Sequence, residues 1–453
     1  MRQATSTLKV ALAVLALLLT VLVWARGLQD SFDRPSVTPK LSLRQHEIAL
    51  LATPSIPKPL RPVLVGEDPR LVLRETLQEI PLDQIKDRER LLMAVLQSSS
   101  VERRSFLEAP LRDSGLISIQ KRLVSVSEVD SDLSSDFMND LEKLKSDPLL
   151  YQLTCRALGG DIETCVDVGI AKKMSARLVL SQGVPVLSIL LGSILLIRQL
   201  WLRIKKVTSP WPPLVALPLS LTEMVLLVAG GFVVLGEVIF PAVVLPFTEG
   251  LTRELGSPRA EAFKVLLGYL AMMLPPLLIL RQQLNGLSKL ERPDNGWLQW
   301  RLVPFDKAFV KATGGWLMMM PLVLMTGWLM NFVVGDQGGS NPLLELVLGS
   351  QDRIALSLLL VTTVALAPFF EEVIFRGALL PVLVQQYGRA WGLIVSAMVF
   401  AIAHLSVGEL APLFVLGLGL AFMRLSSGRL FPCVLMHSLW NGVTFTNLLL
   451  LGG

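Results

Sequence analysis

Two adjacent carboxylates, Glu371 and Glu372, and an arginine four residues on, Arg376, stand in the segment APFFEEVIFRGALLP (367–381), between two strongly apolar stretches. Helical residues four apart face the same way, so Glu372 and Arg376 suit an ion pair. Glu371 is turned by about 100° from Glu372 and meets a different neighbour. One glutamate is thereby assigned to the arginine, and the other is left to do chemistry. The chain has three histidines, and two of them, His404 in FAIAHLSVG and His437 in VLMHSLWNGV, fall in the apolar stretches that follow. Asn441 follows His437 by four residues and Phe400 precedes His404 by four, so each pair shares a helical face. The third histidine, His46, lies in a proline-rich stretch and receives no role.

A carboxylate beside a neutral imidazole can hold and deprotonate a water. A second imidazole and an amide NH₂ can donate to an anionic tetrahedral intermediate. Glu371, His404, His437 and Asn441 therefore describe peptide-bond hydrolysis without a protein nucleophile. The alternative is zinc, held by Glu371, His404 and His437 with water in the open position. The chain has no HExxH and asparagine is an unusual zinc ligand, so the expected site has no cofactor, with zinc as the second choice. Any one of these polar residues is explained as a link between helices; their grouping on three neighbouring helices points to a site.

Composition sets the medium in which this chemistry occurs. Of 453 residues, 52% are hydrophobic and 17% charged, and the mean hydropathy is +0.56, far from the soluble average. The expected fold class is all-α: a polytopic helical membrane protein with about eight or nine transmembrane helices and a small helical soluble domain near the N-terminus. Carboxylates at membrane depth cost a few kcal/mol each, which makes an intramembrane glutamate a functional hypothesis by default. The net charge of +5 comes from Lys and Arg spread beside apolar runs, not gathered with aromatics. It fits membrane topology and excludes nucleic acid as a partner. Three cysteines with no CxxC exclude zinc-finger and iron–sulfur frameworks.

Four regions follow along the chain. Residues 1–26 form an uncleaved signal anchor over VALAVLALLLTVLVWA. Residues 27–177 comprise a tether, extended because prolines recur from Pro35 to Pro69, and a helical domain on the extracytoplasmic side. In that domain Ser134 and Ser135 are placed to cap a helix through DFMNDLEKL, and Cys155 and Cys165 flank a Gly159-Gly160 hairpin, either bridged or free. Residues 178–310 add transmembrane helices and a cytoplasmic loop, and residues 311–453 hold the polar cluster. About nine apolar crossings are expected, two of them at 354–380 and 390–407; a helix from 354 that is longer, tilted or displaced, running on towards Tyr387 with a break near Pro381, would reconcile the depths of Glu371 and His404. A cytoplasmic amino terminus puts Arg198, Arg203, Lys205, Lys206, Arg281, Lys289, Arg424 and Arg429 on the cytoplasmic flank.

At the polar residues the sequence resembles a known family. EEVIFR matches EExxxR, FAIAH matches FxxxH and HSLWN matches HxxxN, in the order and at intervals found in the CPBP intramembrane endopeptidases, which comprise CAAX prenyl proteases and bacteriocin-processing or abortive-infection proteins. The likeness covers about 354–447. It implies that Glu371 and His404 activate water, that His437 and Asn441 stabilise the oxyanion, and that Glu372, Arg376 and Phe400 give structural support. It further implies a membrane protein or lipid-anchored peptide as substrate, met within the lipid bilayer. The rival readings are a non-catalytic membrane partner or chaperone, and a transporter, for which Glu237 in FVVLGEVIF is the one outlying intramembrane carboxylate.

Overall fold

The computed structural model describes residues 7–80, 85–97, 100–108, 111, 114–126, 141–207, 210–335 and 338–452. It contains helices and no strand among the described residues. The chain divides into two compact units, residues 38–184, and residues 1–37 together with 185–453.

The unit at 38–184 is a bundle of short helices around Leu73, Leu77, Leu91, Leu92, Leu123 and Leu149. The proline-rich stretch is not an extended tether. It forms the helix Thr38–Ala52, whose Leu50 and Leu51 enter this core, and, past two single 3₁₀ turns, the helix Pro69–Gln78. The reason is positional, since Pro39 and Pro69 occupy the first helical turn, where the missing N–H is not needed. Asp68 caps the second of these helices by accepting from the Arg70 and Leu71 amides. The expected cap at Ser134 and Ser135 lies outside the described residues. Cys155 and Cys165 form a disulfide, with Cα atoms 5.6 Å apart. Gly160 closes the hairpin beside them, and a Cβ there would stand 2.5 Å and 2.7 Å from the two sulfurs.

The other unit belongs to an integral, multi-pass membrane protein. Among the described residues eight helices are long and apolar enough to cross a membrane: α1 (Thr7–Asp33), α2 (Val168–Ile204), α3 (Leu221–Thr252), α4 (Arg259–Asn285), α5 (Phe305–Val334), α6 (Arg353–Ile402), α7 (Leu410–Ser427) and α8 (Phe431–Gly452). Each meets or approaches the ~20 residues that span ~30 Å of hydrocarbon. Lipid is as apolar as leucine, so close packing holds these helices together more than water exclusion does. Phe232, Phe370, Phe375, Phe400, Leu416, Leu420 and Met436 supply that packing in one continuous cluster.

Helix α6 carries the two crossings expected at 354–380 and 390–407, but the break is not at Pro381. It falls at Gly388, whose φ of 81° suits glycine. The Ser396 hydroxyl donates to the Phe375 carbonyl at 3.4 Å, so the arm after Gly388 folds back along the arm before it. Pro381 is accommodated because the α-helical ladder restarts at Leu380, putting proline in a first turn. The arm at 353–387 is about 52 Å long at 1.5 Å per residue, longer than a bilayer requires, and Glu371 lies near its middle.

Candidate active site

Glu371 and Glu372 close the segment Ala367–Glu372, which is flanked by wide π-helical turns at Val361–Leu366 and Val373–Leu379. Such turns frequently accompany functional sites, because the extra residue re-aims the side chains around it. Glu372 and Arg376 are both fully buried and meet at 2.9 Å, the contact their spacing suggests. Arg376 also donates to the Gly417 carbonyl at 3.1 Å. Its guanidinium lies 4.2 Å from the centroid of the Phe400 ring. The same ring meets His404 edge-on at 4.7 Å and His437 at 5.8 Å. Phe400 is thus the wall shared by the ion pair and both imidazoles.

The two histidines point the same nitrogen at the same oxygen. His404 Nε2 and His437 Nε2 each lie 3.9 Å from Glu371 Oε2. Their other nitrogens are occupied. His404 Nδ1 lies 2.8 Å from the Phe400 carbonyl, which can only accept, so Nδ1 carries the hydrogen. His437 Nδ1 lies 3.0 Å from Glu372 Oε1, an oxygen already held by Arg376 as a carboxylate, and it donates likewise. In their neutral forms both rings therefore present a bare Nε2 lone pair to Glu371. The remaining Glu371 oxygen, Oε1, accepts from the Tyr269 hydroxyl at 2.9 Å. Oε2 is buried and has no hydrogen-bond partner among the described residues. Asn441 stands one turn past His437 and donates from Nδ2 to the Thr363 carbonyl at 2.9 Å, leaving one amide hydrogen for another acceptor.

These separations distinguish the two things that could sit between the side chains. A zinc ion about 2.0 Å from Oε2 and from either Nε2 would subtend about 150° across a 3.9 Å gap, against roughly 109° for a tetrahedral centre. A water about 2.8 Å from both atoms subtends roughly 90°, an angle its hydrogen bonds tolerate. Among the described residues no three His, Cys, Asp or Glu side chains are grouped to hold a metal. As arranged, Glu371, His404 and His437 fit a solvent molecule and do not fit zinc.

Residues 353–443 match the family model described as Type II CAAX prenyl endopeptidase Rce1-like. The chain carries a CAAX-type intramembrane protease domain of the CPBP family. Residues 38–176 match a second family, described only as a domain of unknown function. No curated protein and no solved structure matches the chain. Glu371, Glu372, Arg376, Phe400, His404, His437 and Asn441 all fall inside the CPBP domain.

Several polar groups at or near the site were missed in the sequence or were given another role there. Tyr269, on α4 and outside the CPBP domain, was signalled only by being one of three tyrosines, set in the apolar run LLGYLAMM. Arg424, counted as a cytoplasmic flank charge, is fully buried and donates from Nε to the Arg376 carbonyl at 3.2 Å. Glu409 lies in the turn after His404, where burial pushes its carboxyl up, against the pull of His404, the Asn341 amide and Arg34. Glu237, the outlying carboxylate, receives the Trp24 indole at 3.4 Å.

Proposed function

We propose that the protein is an intramembrane endopeptidase that hydrolyses a peptide bond with a water activated by Glu371 and His404, using His437 and Asn441 to stabilise the oxyanion. The observation that carries this reading is Glu371 Oε2, a buried carboxylate oxygen without a hydrogen-bond partner that faces two imidazole nitrogens at 3.9 Å.

A count of protons divides the roles. Water has two hydrogens, and the site offers three acceptors: Oε2 and two bare Nε2 atoms. One of the three must itself be protonated for all to bond to solvent or substrate. His437 lies between two carboxylates, Glu372 at 3.0 Å and Glu371 at 3.9 Å, and the proposed mechanism assigns that proton to its Nε2. Protonated, its Nε2–H becomes a donor for the oxyanion, joined by the second Asn441 hydrogen. Water then gives its hydrogen bonds to Glu371 and His404. Attack on the carbonyl carbon forms the C–O bond as a water proton passes to Glu371. The tetrahedral anion collapses, the C–N bond breaks, and Glu371 returns the proton to the leaving amine. The products are a carboxylic acid and an amine, and no cofactor is consumed.

The substrate class is a membrane-embedded or lipid-anchored polypeptide, because the site is walled by helices of a multi-pass membrane protein. We place residues 38–184 on the extracytoplasmic side, supported by the Cys155–Cys165 bridge and by basic residues after α2 and α4. Comparative proteomics of cells holding wild type or Glu371→Gln at equal membrane abundance tests the activity. The expected result is a set of peptides trimmed only with the wild type. Identical peptide sets reject the protease reading.

A further inference from the structure

His404 is not on a helix. The second arm of α6 ends at Ile402, and the histidine stands in the turn that follows. The next residue, Leu405, has φ 50°, a left-handed conformation that a branched side chain rarely adopts. Such a backbone persists only where its surroundings fix it, and here the fixing groups come from parts of the chain distant in sequence.

Three hydrogen bonds join this turn to the carboxyl end of α1, to Arg34 just past it and to Gly339. Arg34 Nη2 donates to the Leu405 carbonyl. The Val407 amide donates to Ser31 Oγ at 3.0 Å. Ser406 Oγ donates to the Gly339 carbonyl at 2.7 Å. The brace is itself closed, since the Gly339 amide donates to the Arg34 carbonyl at 2.8 Å. Ser31 is fully buried and Ser406 nearly so. The fit is close: a Cβ on Gly339 would stand 2.2 Å from Ser31 Oγ, and one on Gly27 would stand 2.8 Å from the Leu405 side chain. Every group that holds the turn from α1 or residue 339 lies outside the CPBP domain at 353–443.

We propose that Ser31, Arg34 and Gly339 are positioning residues for His404, and that the first helix is in consequence a working part of the active site. Without the brace the turn relaxes from the left-handed conformation, and Nε2 leaves its direction towards Glu371. The proposal rests on the hydrolytic reading only for its effect on rate; the placement of the ring is testable by itself.

Having three histidines makes that test direct. Full-length protein with isotope-labelled histidine in lipid nanodiscs gives three ring signals, assigned with His46→Gln and His404→Gln. Ser31→Ala and Arg34→Met are expected to shift or broaden the His404 signal while leaving His46 and His437 in place. Arg34→Lys, which keeps a donor for the Leu405 carbonyl, is expected to restore it. In cleavage assays kcat falls about tenfold with KM unchanged, the pattern of a misplaced group. A His404 signal at its wild-type position in both Ser31→Ala and Arg34→Met overturns the proposal, whatever the rate. If Arg34→Met disturbs all three signals by misfolding, Ser31→Ala, which removes one oxygen, decides alone. A shifted His404 ring in a protein whose wild type cleaves nothing upholds the brace and removes the protease reading instead.

Discussion

Replacing Tyr269 with phenylalanine removes one hydroxyl and little else. The Tyr269 ring meets Phe370 edge-on at 6.2 Å, and phenylalanine keeps that contact. What disappears is the 2.9 Å hydrogen bond to Glu371 Oε1. Oε2 already lacks a partner, so in Tyr269→Phe the carboxylate has no hydrogen-bond donor among the described residues and nothing to fix which oxygen faces the imidazoles. A hydrogen bond to a charged group is worth about 1.5–3 kcal/mol. At about 1.4 kcal/mol per tenfold, kcat should fall between roughly 10- and 150-fold. The hydrogen bond that this hydroxyl makes is to Glu371, so a purely orienting role predicts a KM within about twofold of the wild type. The assay is initial-rate cleavage, by purified protein in liposomes, of a peptide whose trimming depends on the wild type. A kcat for Tyr269→Phe equal to or above that of the wild type, at equal folded protein, refutes the claim that α4 orients the base.

Other consequences follow from the same geometry. Arg376→Met removes the cation from the fully buried Glu372, leaving it only the His437 Nδ1–H, and should destabilise the protein by about 3 kcal/mol, whereas Glu372→Gln with Arg376→Met should cost clearly less; denaturation in detergent compares the two. Replacing both Cys155 and Cys165 with alanine opens a loop of sequence separation 10, which should cost the 38–184 unit about 3 kcal/mol on the loop-entropy estimate, read as earlier proteolysis within that unit on heating. Cleavage should survive prolonged treatment with a strong zinc chelator, since the spacing of Glu371, His404 and His437 fits solvent; chelator-sensitive cleavage restored by zinc would contradict that geometry.

What could be read from the sequence was whatever depends on local spacing. The four-residue interval from Glu372 to Arg376 indicated their pairing, and runs of about 20 apolar residues indicated the helices, because both are properties of one helix. The convergence of Glu371, His404 and His437 was suggested by their rarity in apolar surroundings, not by any period. The details that fix the chemistry were out of reach for the same reason. Tyr269 reaches Glu371 across 102 residues and Ser31 reaches Val407 across 376, contacts made by tertiary packing alone. The prolines from Pro35 to Pro69 misled because composition indicates that proline interrupts a helix, while only position indicates that it can begin one. Gly388 was overlooked as the turn in α6 because Pro381 gave the stronger local signal, and the wide turn before Leu380 had already accommodated it.

The account depends most on what occupies the space in front of Glu371. A crystallographic or cryo-EM density map of the full-length protein, fine enough to show ordered solvent, measures this directly. A single solvent peak about 2.8 Å from Glu371 Oε2 and from His404 Nε2 is the predicted result. A peak about 2.0 Å from all three side chains would mean a metal, and a Glu371 carboxylate rotated away from both imidazoles would mean that no hydrolytic water is held there; either contradicts the account.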